Sequence, residues 1–189
     1  MKQPGQTRQS GAILVVNAGS SSIKFAVFGS GDDPVHAGSV SEIGGASVLS
    51  LDGDRKPADA PDHVTAIELL LAALAKAGTR PENLAAAAHR VVHGGEALKA
   101  PAEITPRLIR QIESCIPLAP SHNPHNLAGI LALAEAAPGL PQFASFDTSF
   151  HATNPDVAVK YALPDLPEIA GIRRYGFHGT SHRYVAHRA

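Results

Sequence analysis

The chain carries a short polar segment near its start, residues 17–24, whose composition suits an anion-binding turn (Asn-Ala-Gly-Ser-Ser-Ser-Ile-Lys). It joins two apolar runs, 12–16 and 23–28, which are rich in β-branched or aromatic residues and are predicted to be strands. Backbone N–H groups and hydroxyls in such a turn can point at one ligand, and with a nearby ammonium they favour phosphate. A plain hairpin turn with a solvated lysine has the same composition, so both interpretations stay open here.

The spacing of this segment adds a second argument. If the chain re-enters a strand at residue 20, the two-residue period places its polar side chains on one face, namely Ser20, Ser22 and Lys24. The apolar residues between them then take the opposite face and can enter a core. Neither the Walker A pattern nor the Rossmann glycine pattern occurs, so the segment is not one of those phosphate loops.

A second polar cluster, residues 89–95 (His-Arg-Val-Val-His-Gly-Gly), ends another predicted strand. On a strand, Arg90 and Val92 share a face, which puts a guanidinium beside an apolar wall. Arginine matches a carboxylate with two parallel hydrogen bonds, so the pair suits a small carboxylate with a short alkyl tail. A surface salt bridge of Arg90 is the alternative that this cluster leaves open.

Two more clusters complete the set. Asp147 follows the predicted strand 142–146, and an aspartate there can be a base, a metal ligand or a turn cap. Residues 173–182 combine two arginines and several histidines with glycines, which suggests an anion site or a solvated basic loop. Together the four clusters offer phosphate donors, a carboxylate clamp, an acid–base group and cations, which is the equipment for phosphoryl transfer to a small acid.

These clusters need a scaffold, and the composition provides one. The chain has 189 residues, of which 44% are hydrophobic, enough for a core. Its net charge of -1 gives no indication of nucleic acid or an anionic membrane as a partner, and no apolar run approaches a membrane span. One cysteine, Cys115, rules out an intrachain disulfide and fits a cytoplasmic location. Residues 1–10 are polar and are predicted to be a disordered leader.

Hydrophobic periodicity predicts strands that alternate with helices after an initial hairpin, which favours an α/β domain with a mixed sheet. The predicted strands are 12–16, 23–28, 36–41, 84–92 and 142–146, and the predicted helices are 62–77, 106–115, 126–136 and one from about residue 180. Residues 44–61 are rich in Gly, Asp, Ala and Pro and are predicted to be mainly loop. The last helix carries no stop signal, so we expect a truncated chain.

Five segments resemble, in order, the motifs of the acetate kinase family: residues 17–24, 89–95, 120–124 (Pro-Ser-His-Asn-Pro), 146–151 (Phe-Asp-Thr-Ser-Phe-His) and 173–182 (Arg-Arg-Tyr-Gly-Phe-His-Gly-Thr-Ser-His). The resemblance covers residue 13 to the last residue. It implies the fold of the acetate and sugar kinase, heat-shock 70 and actin superfamily, in which two ribonuclease H-like domains enclose the active site. It also implies reversible transfer of a phosphoryl group from ATP to acetate with Mg²⁺, giving acetyl phosphate and ADP.

The resemblance implies roles on the phosphate side of the site. Asn17 matches a residue at the magnesium–phosphate site. Ser20, Ser22 and Lys24 match the phosphate-facing loop, with Lys24 reaching ATP. His178 matches the residue that stabilises the phosphoryl group in transfer.

Other matches fall on the acceptor side. Arg90 resembles the clamp on the acyl carboxylate, Val92 resembles a residue that lines the methyl pocket, and Phe177 resembles a further wall of that pocket. Asp147 resembles the catalytic carboxylate, acting as a base or as the group that orients acetate and metal.

The chain departs from the family at Ser121, which stands where an apolar residue usually helps to line the acyl pocket, beside His122 in the same motif. We assign Ser121 to the substrate pocket and expect it to alter the acyl-chain preference. Family members run to roughly twice this length. We therefore expect residues 11–150 to form the first actin-like domain and residues 151–189 to begin a second, incomplete one.

The resemblance favours an acetate kinase present as its amino-terminal part. A propionate or butyrate kinase of the same family is the alternative within the class, and a non-catalytic fragment that binds an anion is the alternative outside it. Full-length members of the family are expected to be cytoplasmic homodimers.

Overall fold

The computed structural model describes residues 11–164 and 166–189, so the predicted leader lies outside the described residues. Eight strands form one sheet: β1 (Ala12–Ala18), β2 (Ser22–Phe28), β3 (Pro34–Ser41), β4 (Val48–Leu51), β5 (Asp54–Pro57), β6 (Leu84–Val91), β7 (Ala102–Glu103) and β8 (Gln142–Phe146). The helices are α1 (His63–Lys76), α2 (Pro106–Ser114), α3 (Asn123–Ala136), α4 (Asp156–Val159) and α5 (Gly179–Arg188). None of the helices in the two described ranges is both long and apolar enough to span a membrane.

The sheet is mixed, with the strand order β5-β4-β3-β2-β1-β6-β8-β7. The first five strands form an antiparallel meander, whereas β1, β6 and β8 run parallel to one another. Parallel strands need crossovers, and α1 connects the meander to β6 while α2 and α3 connect β6 to β8. The carboxyl ends of β1, β6 and β8 therefore meet at one edge of the sheet.

Two buried clusters hold the helices on the sheet. The larger cluster packs α1 and the end of α3 against β1 to β4, with Leu14, Ile67 and Leu133 fully buried. The smaller cluster packs α2 and α3 against β6 and β8 around Ile112 and Phe146. The predicted alternation within β2 is confirmed, because Ile23, Phe25 and Val27 are buried while Lys24 is exposed.

Helix α1 shows how local sequence fixes a boundary. The Asp62 carboxylate accepts the N–H of Thr65 at 2.8 Å and caps the helix, which ends at Lys76 before Gly78 with φ +95°. The predicted helix 62–77 is thus confirmed to within a residue at each end. Helix α3 begins at Asn123 rather than at the predicted Asn126, because Pro124 is tolerated in a first helical turn.

The prediction of loop for residues 44–61 is wrong, since β4 and β5 form a hairpin there. Asp52 and Gly53 both adopt positive φ, which is the turn that two-residue hairpins favour. The Asp52 carboxylate also accepts the Ala37 N–H at 2.9 Å, which ties the turn to β3. The Asp-Gly signal in the sequence outweighs the loop-like composition around it.

Candidate active site

Three polar side chains meet where the parallel strands end. Asn17 lies near the end of β1, Arg90 lies one residue before the end of β6, and Asp147 directly follows β8. Adjacent parallel strands of an open α/β sheet present their carboxyl ends to the same crevice, which is where such sheets bind ligands. The structure therefore brings together three residues that lie up to 130 positions apart in the sequence.

Arg90 and Asp147 form an ion pair with several hydrogen bonds. Arg90 Nη2 donates to Asp147 Oδ2 at 2.6 Å, and Arg90 Nε lies 3.2 and 3.1 Å from the two carboxylate oxygens. Arg90 Nη1 also donates to Asn17 Oδ1 at 3.2 Å, so the guanidinium bridges the ends of three strands. Two of its five N–H groups have no partner among these contacts and can receive an incoming carboxylate.

Asp147 is fully buried in this arrangement. Burial alone would raise the pKa of its carboxyl, but hydrogen bonds from Arg90 and Thr180, together with the charges of Arg90 and His178, hold that pKa below its usual value. Thr180 Oγ1 donates to Asp147 Oδ1 at 2.7 Å. Asp147 is therefore ionised at neutral pH and held in a fixed orientation.

A cavity of about 490 Å³ opens beside this pair. Its lining brings together the predicted acceptor-side residues with His122 and His178: Arg90, Val92, Leu118, Ala119, Pro120, Ser121, His122, Asp147, Phe177 and His178. Strand β6 ends at Val91, so Val92 reaches the cavity from just beyond the strand and not from the predicted shared strand face. The cavity thus combines a charged end with apolar walls, an arrangement suited to a small carboxylate.

The predicted phosphate residues lie apart from this lining. Ser20 precedes β2 and lies in the turn, whereas Ser22 begins the strand. Lys24 pairs with Asn17 across the two strands, so its backbone lies directly opposite that of the amide that contacts Arg90. The turn adjoins the ion pair through Asn17.

The segment that carries His178 is pressed against the start of the 3-10 turn Asp147–Thr153. His178 has φ 55°, in the left-handed region, and immediately precedes α5. A Cβ atom added to Gly179 would clash with the Asp147 carbonyl oxygen and lie 2.6 Å from Phe150 Cβ. Only glycine permits this close approach, which sets the loop over the cavity.

Sequence reasoning left two residues of the site without a role. Thr180 lies inside a quoted motif, but its bond to Asp147 joins positions 33 apart and no spacing rule reveals it. Asn126 is buried on α3, and its amide bonds to the backbone near the ends of β1 and β6. Its position two residues after the motif Pro-Ser-His-Asn-Pro is the only signal in the sequence.

The donor set at this edge fits a hard cation. Mg²⁺ prefers oxygen ligands and is usually bound through one or two carboxylates together with substrate phosphates. The Asn17 amide oxygen and the Asp147 carboxylate supply such oxygens on either side of one guanidinium. In the part of the chain that the structure describes, no three His, Cys, Asp or Glu side chains gather into a protein-only metal cage.

Comparison with known proteins gives a consistent result. The model of the acetokinase family matches residues 12–189. The acetate kinase of Deinococcus deserti is 46% identical over 180 residues, which are 92% of this chain and 45% of that protein. That of Halothermothrix orenii is 48% identical over 189 residues, covering 94% of this chain and 48% of the relative. The chain spans about half the length of the curated relatives it matches.

Solved structures agree with the fold. The crystal structure of Porphyromonas gingivalis acetate kinase matches with a TM-score of 0.86 at 42% identity, covering 94% of this chain and 48% of that one. A propionate kinase from Francisella tularensis matches with a TM-score of 0.88 at 35% identity, with the same two coverages. The actin-like α/β fold with a mixed sheet that the sequence predicts is thereby confirmed.

Proposed function

The chain belongs to the acetokinase family, and from that premise we propose that it supplies the amino-terminal half of an acetate kinase, which transfers a phosphoryl group reversibly between ATP and acetate. The observation that carries the proposal is the ion pair between the partly buried Arg90 and the buried Asp147, which opens onto an apolar-walled cavity of about 490 Å³. A charged end and a small apolar pocket are what a short carboxylate requires.

Arg90 holds the acceptor in this proposal. Its two remaining N–H groups bind the acetate carboxylate, while Asp147 and Asn17 keep the guanidinium from turning away. Val92 and Phe177 enclose the methyl group. Fixing the carboxylate oxygen toward the phosphate is the larger part of the catalysis expected for phosphoryl transfer.

Asp147 acts as an orienting carboxylate and not as a base. Acetate is already ionised at neutral pH, so its attacking oxygen needs no proton removed. Asp147 is itself ionised because its pKa lies below the usual value, and its charge orients Arg90. Of the two roles that the sequence left open for Asp147, the proposal therefore assigns orientation and not proton removal.

The donor side uses the turn between β1 and β2. Ser20, Ser22 and Lys24 bind the phosphates of ATP, with the ammonium of Lys24 offsetting phosphate charge. His178 lies on the cavity and stabilises the transferred phosphoryl group. When bound, Mg²⁺ would neutralise charge on the phosphate oxygens, and Asn17 and Asp147 are the side chains that would hold it.

Propionate kinase is the second candidate, and two observations favour it. Ser121 lines the cavity where an apolar side chain is expected, which leaves room for a longer acyl tail. The Francisella tularensis protein that superimposes well on this chain is a propionate kinase. Both candidates share one mechanism and differ only in the depth of the acyl pocket.

The same proposal covers the organisation of the whole protein. Residues 11–150 form the first actin-like domain, and residues 151–189 begin the second. The completed protein is expected to be a cytoplasmic homodimer that also binds ADP.

The test joins this chain to the second half of Porphyromonas gingivalis acetate kinase and traps acetyl phosphate with hydroxylamine. We expect acetyl hydroxamate that depends on both ATP and acetate, at roughly 1–1000 turnovers per second. The 189-residue chain alone serves as the control and should give none, because transfer requires both substrates to be positioned. A completed protein that hydrolyses ATP without forming the hydroxamate would contradict the proposal.

A further inference from the structure

The backbone ladder between β1 and β6 stops before the two strands reach the site. Its last pair is Val16 with His89, and beyond that point the strands no longer pair. Asn126 spans the gap, because its Nδ2 donates to the Ala18 carbonyl at 2.7 Å and its Oδ1 accepts the Val92 N–H at 3.0 Å. A primary amide has the donor and acceptor of a peptide group, so this side chain continues the ladder by one rung.

These two hydrogen bonds of Asn126 join the phosphate turn to the acyl cavity. Ala18 immediately precedes the phosphate turn, and Val92 lines the acyl cavity. Asn126 is 3% exposed and bonded at both ends. Helix α3 comes close enough for this only because residue 129 is glycine, where a Cβ atom would lie 2.7 Å from Ala18 Cβ. Asn126 therefore links the backbone before the turn to the backbone at the cavity, in addition to the Arg90–Asn17 contact between the same two strands.

A second side chain holds the next carbonyl. His63, the first residue of α1, has Nε2 2.7 Å from the Gly19 carbonyl oxygen, and because a carbonyl only accepts, Nε2 carries the hydrogen. The ring also stacks on His125 of α3 at 5.7 Å between centroids. In a trans peptide the C=O and the following N–H point in opposite directions, so the Ser20 N–H points away from His63.

We infer that Asn126 and His63 are positioning residues, which turn the carbonyls of Ala18 and Gly19 away from the bound phosphate and fix the turn relative to the acyl cavity. The inference rests on the proposed function. Carbonyl oxygens that faced the phosphate would repel it, whereas backbone N–H groups attract it. Two side chains from two helices thus orient two peptide groups.

Two substitutions in the completed enzyme, each of which removes one hydrogen-bond donor, test this assignment. Asn126→Asp keeps the acceptor for the Val92 N–H but loses the donor to Ala18, and His63→Phe keeps a ring beside His125 but loses the donor to Gly19. Each should lower kcat by about tenfold to hundredfold, the cost of a misplaced reacting group. The KM for acetate should stay within about threefold, because the acyl pocket keeps its contacts.

Two further variants separate positioning from mere folding. His63→Gln retains an N–H at the position of Nε2 and should recover most of the kcat that His63→Phe loses. His36→Phe is the matched control, since His36 also makes one 2.7 Å bond, to Asp52, but lies on β3 opposite Val27, at the end of β2 away from the phosphate turn, and its kcat should equal that of the parent.

The outcomes are distinct. An inactive parent would contradict the proposed function and the inference with it. With an active parent, the positioning role alone would be contradicted if His63→Phe had the same kcat as His36→Phe. It would also be contradicted if His63→Gln recovered none of the kcat that His63→Phe loses. Should Asn126→Asp fail to fold, the His63 variants decide the question alone, because that side chain is only partly buried.

Discussion

The two ends of the candidate site are built in different ways. Residues 11–153 carry their site side chains at strand ends and in the loops beside them, and two buried clusters support these elements. In the described part of residues 154–189 only Val159 and Gly179 are buried, and large apolar side chains such as Tyr184 and Val185 are more than 60% exposed. Yet Phe177 and His178, which line the cavity, belong to this exposed segment.

The exposed segment is attached to the rest at a few points. Arg173 Nη1 donates to Glu96 Oε1 at 2.8 Å, Tyr175 packs edge-on against the His93 ring, and Thr180 bonds to Asp147. Exposed ion pairs contribute little to stability. The hydrogen bond from Thr180 to the buried carboxylate of Asp147 is therefore the main attachment of the exposed segment. The part of the site on residues 11–153 is therefore backed by two buried clusters, whereas residues 154–189 are held by few buried contacts, so their local opening is expected to cost less free energy.

The largest expected effect is a loss of stability in acid, which tests the packing of residues 11–153 around His89. Burial lowers the pKa of His89 to about 4, although its bond to Gln142 acts in the opposite direction. Unfolded histidine titrates near 6.5, so between these values the unfolded state binds one more proton. The free energy of unfolding is therefore full above pH 6.5 and falls toward pH 4 by roughly 3 kcal/mol from this group.

Urea unfolding at stepped pH measures this dependence. In His89→Gln the corresponding part of the slope should vanish, even if the variant is less stable at pH 7. An unchanged slope between pH 4 and 6.5 would show that His89 is not held neutral by burial.

The anchor of the second region can be broken separately. Gly179→Ala forces a Cβ atom against the Asp147 carbonyl and Phe150, and such overpacking costs about 1–3 kcal/mol. Because the cost falls on the attachment of α5, tryptic cleavage after Arg183 should accelerate about fivefold to hundredfold while the urea midpoint of the chain stays nearly constant.

Gly31→Ala is the control, because nothing lies within 4 Å of its added Cβ. If Gly179→Ala instead lowered the urea midpoint of the whole chain, the two regions would unfold as one unit and the comparison between them would be wrong.

The smallest effect is expected at the boundary between the regions, in the acyl pocket. Ser121→Leu in the completed enzyme should refill the wall and raise the acetate-over-propionate ratio of kcat/KM. One methylene in an apolar pocket is worth about 1–3 kcal/mol, so the preference shifts without becoming absolute. A ratio that stays the same or falls would mean that Ser121 does not set the depth of the pocket.

The same division explains what the sequence could predict. Strands β1, β2, β6 and β8 and helix α1 follow from hydrophobic periodicity and caps, which are local signals. The Asp52-Gly53 turn was also a local signal, but the composition around it masked the β4–β5 hairpin. Arg90 and Asp147 lie 57 positions apart in the sequence. The sequence therefore shows both as candidate site residues, but it does not show that the Arg90 guanidinium binds the Asp147 carboxylate.

The central claim is that Arg90 binds the acceptor while Asp147 orients the reaction, and steady-state kinetics of two variants in the completed enzyme test it. Arg90→Ala should raise the KM for acetate at least about tenfold through the loss of a charge-assisted pair of hydrogen bonds. Asp147→Asn keeps the shape but loses the charge, so it should lower kcat about a hundredfold with a smaller change in KM. Near-parental kinetics for both variants would contradict the account.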